Sequence, residues 1–236
     1  AAAVVWHGMP EIVGIVIAIL SGVIFGLLNG FVIAKTQIPP FIVTLASMNI
    51  AKGIAYVYSG GKPIRCMTDA WKFLGAGNVA GVPTPVITMT LVFIVSVLFL
   101  NRTRIGLNLR AVGENPATAD AAGINVTRYK YLATCIGSAI AGLGGLQYVM
   151  AYANGVWSNN AFGDRGWMAI ALVIFALWKP NMAILGSFLF GALCNANNYI
   201  HGLGTATQEL FRLLPYVVTL LVLIITSMRK KREHQP

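Results

Sequence analysis

The side chains that could bind a metal or act as nucleophiles are few and widely separated in this sequence. No pair of them has a Cys-x-x-Cys or Cys/His spacing that indicates a metal site or a redox centre. The cysteines are therefore expected to serve as small apolar side chains. The lysine of GGKP, residues 60–63, lacks the spacing of a phosphate-binding loop. We expect no catalytic residue and no metal site. The histidines and cysteines are His7, His201, His234, Cys66, Cys135 and Cys194.

The polar stretch RAVGENPATADAAGINV, residues 110–126, interrupts an otherwise apolar part of the chain. Asn115 can cap the N-terminus of a helix, and Pro116 suits the first helical position because its missing N–H costs nothing there. Gly123 lies where a left-handed residue commonly ends a helix. Such a short helix is unstable alone, because nucleation is costly below about 12 residues. It must pack against neighbouring helices or another protein, unless it is only a surface connector.

The composition places the chain in a lipid bilayer. Hydrophobic residues make up 57% of it and charged residues 10%, whereas a soluble domain usually carries about 25% charged residues. The formal net charge of +10 comes from basic residues scattered between apolar blocks, which is typical of membrane topology. Because these residues form no basic domain, we expect no nucleic acid as a partner.

The apolar blocks predict membrane-spanning helices. A span needs about 20 apolar residues to cross a hydrocarbon core of about 30 Å. The block at 167–200 is broken by Lys179-Pro180, which indicates either two short crossings or a re-entrant hairpin. The predicted fold is all-α: a polytopic transmembrane helical bundle with one short cytoplasmic helix, in a single domain over residues 1–236. The predicted spans are residues 12–34, 38–58, 85–100, 129–150, 167–178, 182–200 and 210–227.

The orientation follows from short loops rich in lysine and arginine, which stay in the cytoplasm. Residues 102–130 and the tail RKKR, 229–232, are both expected inside, so an even number of crossings separates them. Residues 167–178 and 182–200 should therefore each cross, although three basic residues between 59 and 83 oppose this orientation. We expect a multi-pass protein of the cytoplasmic (inner) membrane with a cytoplasmic C-terminus. Because AAAVVWHG resembles neither a start site nor a signal peptide, N-terminal helices are expected to be missing.

Glycines recur at short intervals in two of the predicted spans. Such faces let helices approach closely in lipid, where van der Waals packing takes the place of the hydrophobic effect. Two interpretations stay open, ordinary packing within the bundle and a dedicated dimerisation surface. The glycines concerned are Gly22, Gly26 and Gly30 in the first span, and Gly137, Gly142 and Gly145 in the fourth.

The segment NRTRIGLNLRAVGENPATADAAGINV closely resembles the cytoplasmic loop of permease subunits of ABC importers for simple sugars, such as ribose, galactose and xylose, and for nucleosides. The family pattern is a threonine-arginine-glycine lead followed by AVGxNPxAAxxxGI. Upstream, GLLNGFVIAKTQIPPFIVTLASMNIAKGIAYVYSGGKPI is also similar. Downstream, GDRGWMAIALVIFALWKPNMAILGSFLFG is closer to the nucleoside or general simple-sugar branch. The similar regions cover most of residues 12–228.

The resemblance implies that this chain has no catalytic residue and no cofactor of its own, because ATP and Mg are bound by a partner ATPase. It further implies an extracytoplasmic substrate-binding protein and a second permease chain, in a homodimer or heterodimer. The short helix would be the coupling helix, seated in a groove of the ATPase. The implied coupling residues are Gly113, Glu114, Asn115, Pro116, Ala117, Thr118, Ala119, Asp120, Ala121 and Gly123.

A pathway for polyhydroxyl solutes needs hydrogen-bonding side chains inside the spans. Each candidate also has a structural explanation, since amide side chains bond between membrane helices. An outer loop near residues 157–165 could meet the binding protein or simply be solvated. The pathway candidates are Asn29, Thr44, Asn49, Asn195, Asn197 and Asn198, with Gln147 as a weaker one; the outer-loop residues are Trp157, Asn159, Asn160, Asp164 and Arg165.

The alternative functions are a passive channel or sodium-coupled carrier for small polar solutes, and a purely structural membrane subunit. A carrier of that kind would need unwound helices and ion-coordinating carbonyl groups. The predicted spans have no Asp or Glu in their middle, so a proton relay is not indicated. A transporter without such a relay is either passive or driven by a partner.

Overall fold

The computed structural model describes residues 2–36, 38–66, 68–79, 81–159, 161–163, 165–199 and 213–224. For residues 2, 3, 69, 70, 181 and 196–199 it describes the backbone only. The basic tail at 229–232 lies outside these ranges, as do the two ends of the predicted span 210–227. The helices are α1 Ala2–His7, α2 Glu11–Lys35, α3 Pro40–Ser59, α4 Asp69–Ala76, α5 Thr84–Arg102, α6 Arg104–Glu114, α7 Pro116–Ala121, α8 Val126–Ala151, α9 Arg165–Phe175, α10 Pro180–Tyr199 and α11 Leu213–Ile224.

Within the described ranges, four helices are long and apolar enough to cross a membrane: α2, α3, α5 and α8. They coincide with the predicted spans 12–34, 38–58, 85–100 and 129–150, so these predictions are confirmed together with the all-α fold class. Proline shapes two of their N-termini, because α3 begins at Pro40 and α5 has a proline in its first turn. Proline is tolerated there because the first N–H groups of a helix have no partner within it.

Helices α2 and α8 form the most extensive contact between the described helices. A methyl group on Gly22 would meet the carbonyl of Ser138, and one on Gly26 would lie 2.9 Å from the Cα of Cys135. Gly142 of α8 is equally close to the backbone of α2 at Ala18. Backbones approach this closely only where side chains are missing. The glycines therefore serve packing within the chain, the first of the two interpretations.

Two of the predicted glycines of α8 take no part in this contact. A methyl group on Gly137 or Gly145 would meet nothing within 4 Å, so for these two glycines the second interpretation stays open. The face of α8 that meets α2 includes Tyr131, Thr134, Cys135, Ser138, Ala139 and Gly142.

Helix α4 packs on α2 at Gly14, and the strands of two short antiparallel sheets precede and follow α4 in the chain. Strand β1 (Ile64–Arg65) pairs with β4 (Val156–Trp157), and β2 (Asn78–Val79) pairs with β3 (Val82–Pro83). Trp71 of α4 is 4% exposed, and a methyl group on Gly14 would lie 3.0 Å from its ring. Its indole nitrogen is buried and has no hydrogen-bond partner among the described residues. Trp71 thus fixes α4 by apolar packing alone.

The chain divides into two compact units, Ala1–Ala161 and Phe162–Pro236. In the second unit, α9 and α10 form a hairpin whose turn contains Leu177 and Trp178, both with positive φ. Eleven residues of α-helix span about 16 Å, roughly half the hydrocarbon core, so α9 is too short for the predicted crossing of residues 167–178. This favours the re-entrant alternative for that segment. The single domain over residues 1–236 stays a prediction.

Candidate functional site

A sharp corner leads from α5 into α6. The Thr103 hydroxyl donates to the carbonyl of Phe99 at 2.6 Å and accepts from the backbone N–H of Gly106 at 3.0 Å. Thr103 therefore ends one helix and caps the next without any intervening residue. A methyl group on Gly106 would collide with the backbone of Phe99 and Leu100. The corner requires a glycine at that position.

Asn115 serves two helices at once. Its N–H donates to the carbonyl of Ala111 at 3.1 Å, which ends α6. Its side-chain oxygen accepts from the N–H of Thr118 at 3.1 Å, which caps α7, and Pro116 is the first residue of that helix. The helix predicted after Asn115 is present with the predicted cap.

The C-terminus of α7 is a Schellman motif. The N–H of Gly123 donates to the carbonyl of Asp120 at 2.9 Å, and the N–H of Ile124 donates to that of Ala119 at 3.0 Å. Gly123 has a φ of +81°, as the motif requires. Asn125 then caps α8, its side chain accepting from the N–H of Arg128 at 2.9 Å. Between α7 and α8, only residues 122–125 are not helical, and the Schellman motif and the Asn125 cap hold them by hydrogen bonds.

Gly123→Ala and Gly113→Ala should have effects of opposite sign on the stability of this loop. Alanine at 123 must adopt the left-handed conformation, which costs about 1–2 kcal/mol. Gly113 lies inside α6, where nothing is within 4 Å of an added methyl group and alanine gains up to about 1 kcal/mol in helix propensity. Hydrogen exchange of the α7 amides in the full-length protein measures both changes. Equal protection in the two variants would contradict the role of Gly123.

One side of α7 faces the chain and the other faces outward. Ala119 is 4% exposed, and Val112 of α6 is 7% exposed. Packing within the chain already covers the Ala119 side chain, and its role as a coupling residue stays a prediction. The remaining coupling candidates are exposed: Gly113, Glu114, Asn115, Pro116, Ala117, Thr118, Asp120, Ala121 and Gly123.

An open cavity of about 620 Å³ lies between the outward side of α7 and the start of α8. Pro116, Ala117, Asp120 and Gly123 line it from the side of α7, and residues 124–127 line it from the other. Five basic and two acidic residues lie between 102 and 130, so the surroundings carry a net positive charge. Such a concave surface beside an exposed helix can receive a complementary segment of another protein.

The pathway candidates for which the structure describes side chains bond mainly to their own helices. The amides of Asn49 and Asn195 donate to the carbonyls of Leu45 and Gly191, at 3.1 and 3.0 Å. The Thr44 hydroxyl donates in the same way to residues of the preceding turn. Asn29 is 8% exposed on α2. Their role in a pathway stays a prediction, and the side chains of Asn197 and Asn198 lie outside the described part of the structure.

Comparison with known proteins decides the family. The family described as the permease component of branched-chain amino acid transport systems matches residues 1–223 of this chain. The chain belongs to this permease family. Its α7 is thus the capped helix in a loop between two spans of a permease, and the predicted resemblance is confirmed.

Known proteins that are similar to the permease are named for several different substrates. It is 26% identical over 244 residues to the ribose import permease of Escherichia coli, which covers 98% of the chain and 73% of the relative. It is 36% identical over 129 residues to a nucleoside ABC transporter permease of Lactococcus lactis, covering 53% and 40%. It is 37% identical over 182 residues to the L-arabinose permease of Escherichia coli, covering 73% and 54%. The chain thus spans less than two thirds of the last two relatives. No solved structure matches the permease.

The outer loop is only partly described. Trp157 pairs with Ile64 between β4 and β1, so its backbone belongs to a sheet. Asn159 is half-buried, and Arg165 begins α9. Asn160 and Asp164 lie outside the described residues. Contact of this loop with a binding protein stays a prediction.

Two N-cap residues of the permease are not among those predicted from the sequence. Thr103 and Asn125 cap α6 and α8 in the same way as Asn115 caps α7. The signal was available, since each is a good N-cap residue directly before a helix-forming segment. The burial of Ala119 has no such local signal, because it depends on how α7 packs against α6.

Proposed function

We propose that this chain is the membrane-spanning subunit of an ATP-binding-cassette importer that moves a simple sugar (pentose or hexose) or a nucleoside across the cytoplasmic membrane. One observation carries the proposal: α7, capped at both ends, presents an exposed side and a cavity to a partner in a member of a permease family. The names of the relatives, which include ribose, arabinose and nucleosides, support the substrate class.

The energy comes from a partner in this proposal. A separate ATPase subunit binds ATP and Mg and docks on α7, while a substrate-binding protein delivers the solute from the other side of the membrane. A second permease chain completes the pathway, and this chain carries no catalytic site. The C-terminus is cytoplasmic, on the same side as α7, because both regions are rich in lysine and arginine.

The structure suggests how a push on α7 reaches the membrane. Hydrogen bonds hold the chain from the Thr103 cap to the Asn125 cap, so a displacement of α7 is transmitted to α6 and the start of α8. Helix α8 packs closely on α2 through Gly22 and Gly26. The ATPase needs only to bind the two arrangements of α7 with different affinity to shift the bundle between its two states.

A cysteine at Thr118 should form a cross-link to the ATPase that depends on ATP, and a cysteine at Ala119 should not. The two positions are adjacent, but Thr118 is exposed and Ala119 is 4% exposed. The experiment uses the assembled complex in membranes, a bifunctional thiol reagent, and conditions with and without ATP. Ala119 is the matched control, since the same reagent meets a covered side chain one residue away.

A complex that stays intact but gives no cross-link from position 118 under either condition contradicts docking on α7. Uptake that continues without ATP would favour the passive channel or sodium-coupled carrier. To choose the substrate, the partner binding protein is titrated with ribose, galactose and inosine.

A further inference from the structure

The helices on either side of α7 are joined by a direct contact between side chains. The amide nitrogen of Asn108, on α6, donates a hydrogen bond of 2.7 Å to the phenol oxygen of Tyr129, on α8. The two residues are 21 positions apart, and both side chains are half-buried. We call this contact the Asn108–Tyr129 bridge.

The bridge closes a ring made of three helices. Asn108 lies near the middle of α6, and Tyr129 lies in the first turn of α8, just after the cap formed by Asn125. Between them the chain runs through α7, which has only 6 residues. A helix this short cannot keep its own position, because its few hydrogen bonds do not offset the entropy of ordering it. The position of α7 therefore depends on the separation of the two helices that hold its ends.

We propose that the Asn108–Tyr129 bridge is a positioning element that makes α6, α7 and the start of α8 move as one body, so that ATP hydrolysis is converted into transport. This inference rests on the proposed function. Without the bridge, α6 and α8 are held together less firmly, and a push on α7 can spread them apart before it moves the spans. Part of the movement that the ATPase drives then deforms the loop and does not reach the spans.

The phenol ring and the hydroxyl of Tyr129 can be separated experimentally. Tyr129→Phe keeps the apolar ring and removes only the acceptor of the hydrogen bond. Asn108→Leu keeps the approximate size of the side chain and removes the donor. Asn108→Asp keeps a bridge of reversed direction, in which the Tyr129 hydroxyl donates to a carboxylate. The double variant should be no worse than either single one, because both remove the same contact.

The test measures molecules of solute imported per ATP hydrolysed by the whole complex in lipid vesicles. For Tyr129→Phe and Asn108→Leu this ratio should fall roughly fivefold, the factor that corresponds to one hydrogen bond of about 1 kcal/mol. Asn108→Asp should retain most of it. The matched control is Tyr131→Phe, which removes a hydroxyl two residues further along α8, where the ring lies against Gly30.

The outcomes separate the bridge from the proposed function. A merely structural role would lower the yield and the melting temperature but leave the ratio of the assembled complexes unchanged, and that result overturns the bridge. An equal fall in Tyr131→Phe also overturns it. If the unmodified complex imports no solute in the presence of ATP, the proposed function is contradicted, whatever the variants do.

Discussion

Gly22→Val should separate α2 from α8 and prevent the full-length permease from reaching a stable fold. An added Cβ at this position overlaps the carbonyl of Ser138, and backbone cannot yield as a flexible side chain can. Overpacking a well-packed contact costs about 1–3 kcal/mol and occasionally more. The contact between these two helices is the most extensive among those described, so the effect should lie at the upper end.

The measurement is the yield and melting temperature of the permease purified in detergent. Gly137→Val is the matched control, because it puts the same β-branched residue into a membrane helix where nothing lies within 4 Å of the new Cβ. Both variants make the same change in helix propensity, so the difference between them isolates the contact. Equal melting temperatures would show that α2 and α8 do not pack as the structure places them.

Trp71→Ala should destabilise the permease by roughly 3–5 kcal/mol, the usual cost of removing a buried aromatic side chain. Trp71 is 4% exposed, and its ring covers Gly14 of α2. Its loss leaves a cavity between α4 and α2 that the neighbouring glycine cannot fill. The expected result is a marked fall in melting temperature and faster proteolysis of residues 60–83 in the full-length protein.

Trp71→Phe distinguishes apolar packing from hydrogen bonding at the same position. The indole N–H has no partner among the described residues, so its removal relieves a buried polar group that would otherwise be left unsatisfied. Phenylalanine should therefore retain most of the stability that alanine loses. If phenylalanine is as damaging as alanine, the indole N–H has a partner that contributes to stability.

The parts of this molecule that depend on local chemistry were predictable from the sequence. Asn115, Pro116 and Gly123 act within a few residues of themselves, so their types were enough to locate α7 and both its ends. The four long spans follow from length and hydropathy in the same way. These signals do not depend on what the helices pack against.

The parts that depend on packing were not predictable. The repeat of glycines identified a close contact on α2, but it could not tell which face of α8 would meet it, and Gly137 points elsewhere. The sequence does not predict α6 as a helix, because its arginines also fit a cytoplasmic loop. The Asn108–Tyr129 bridge joins residues 21 positions apart, and neither segment contains a sequence pattern that predicts this contact.

The double role of Asn115 has a consequence for the length of the chain. Because Asn115 both ends α6 and caps α7, no loop residue between the two helices could accommodate an insertion. An α-helix turns about 100° per residue, so one inserted residue next to Asn115 would turn α7 about its axis by more than a quarter of a circle. Ala119 would then leave its packed position, and Thr118, the residue before it, would take its place. A loop of this design tolerates changes of residue on its outer side, but its register is fixed.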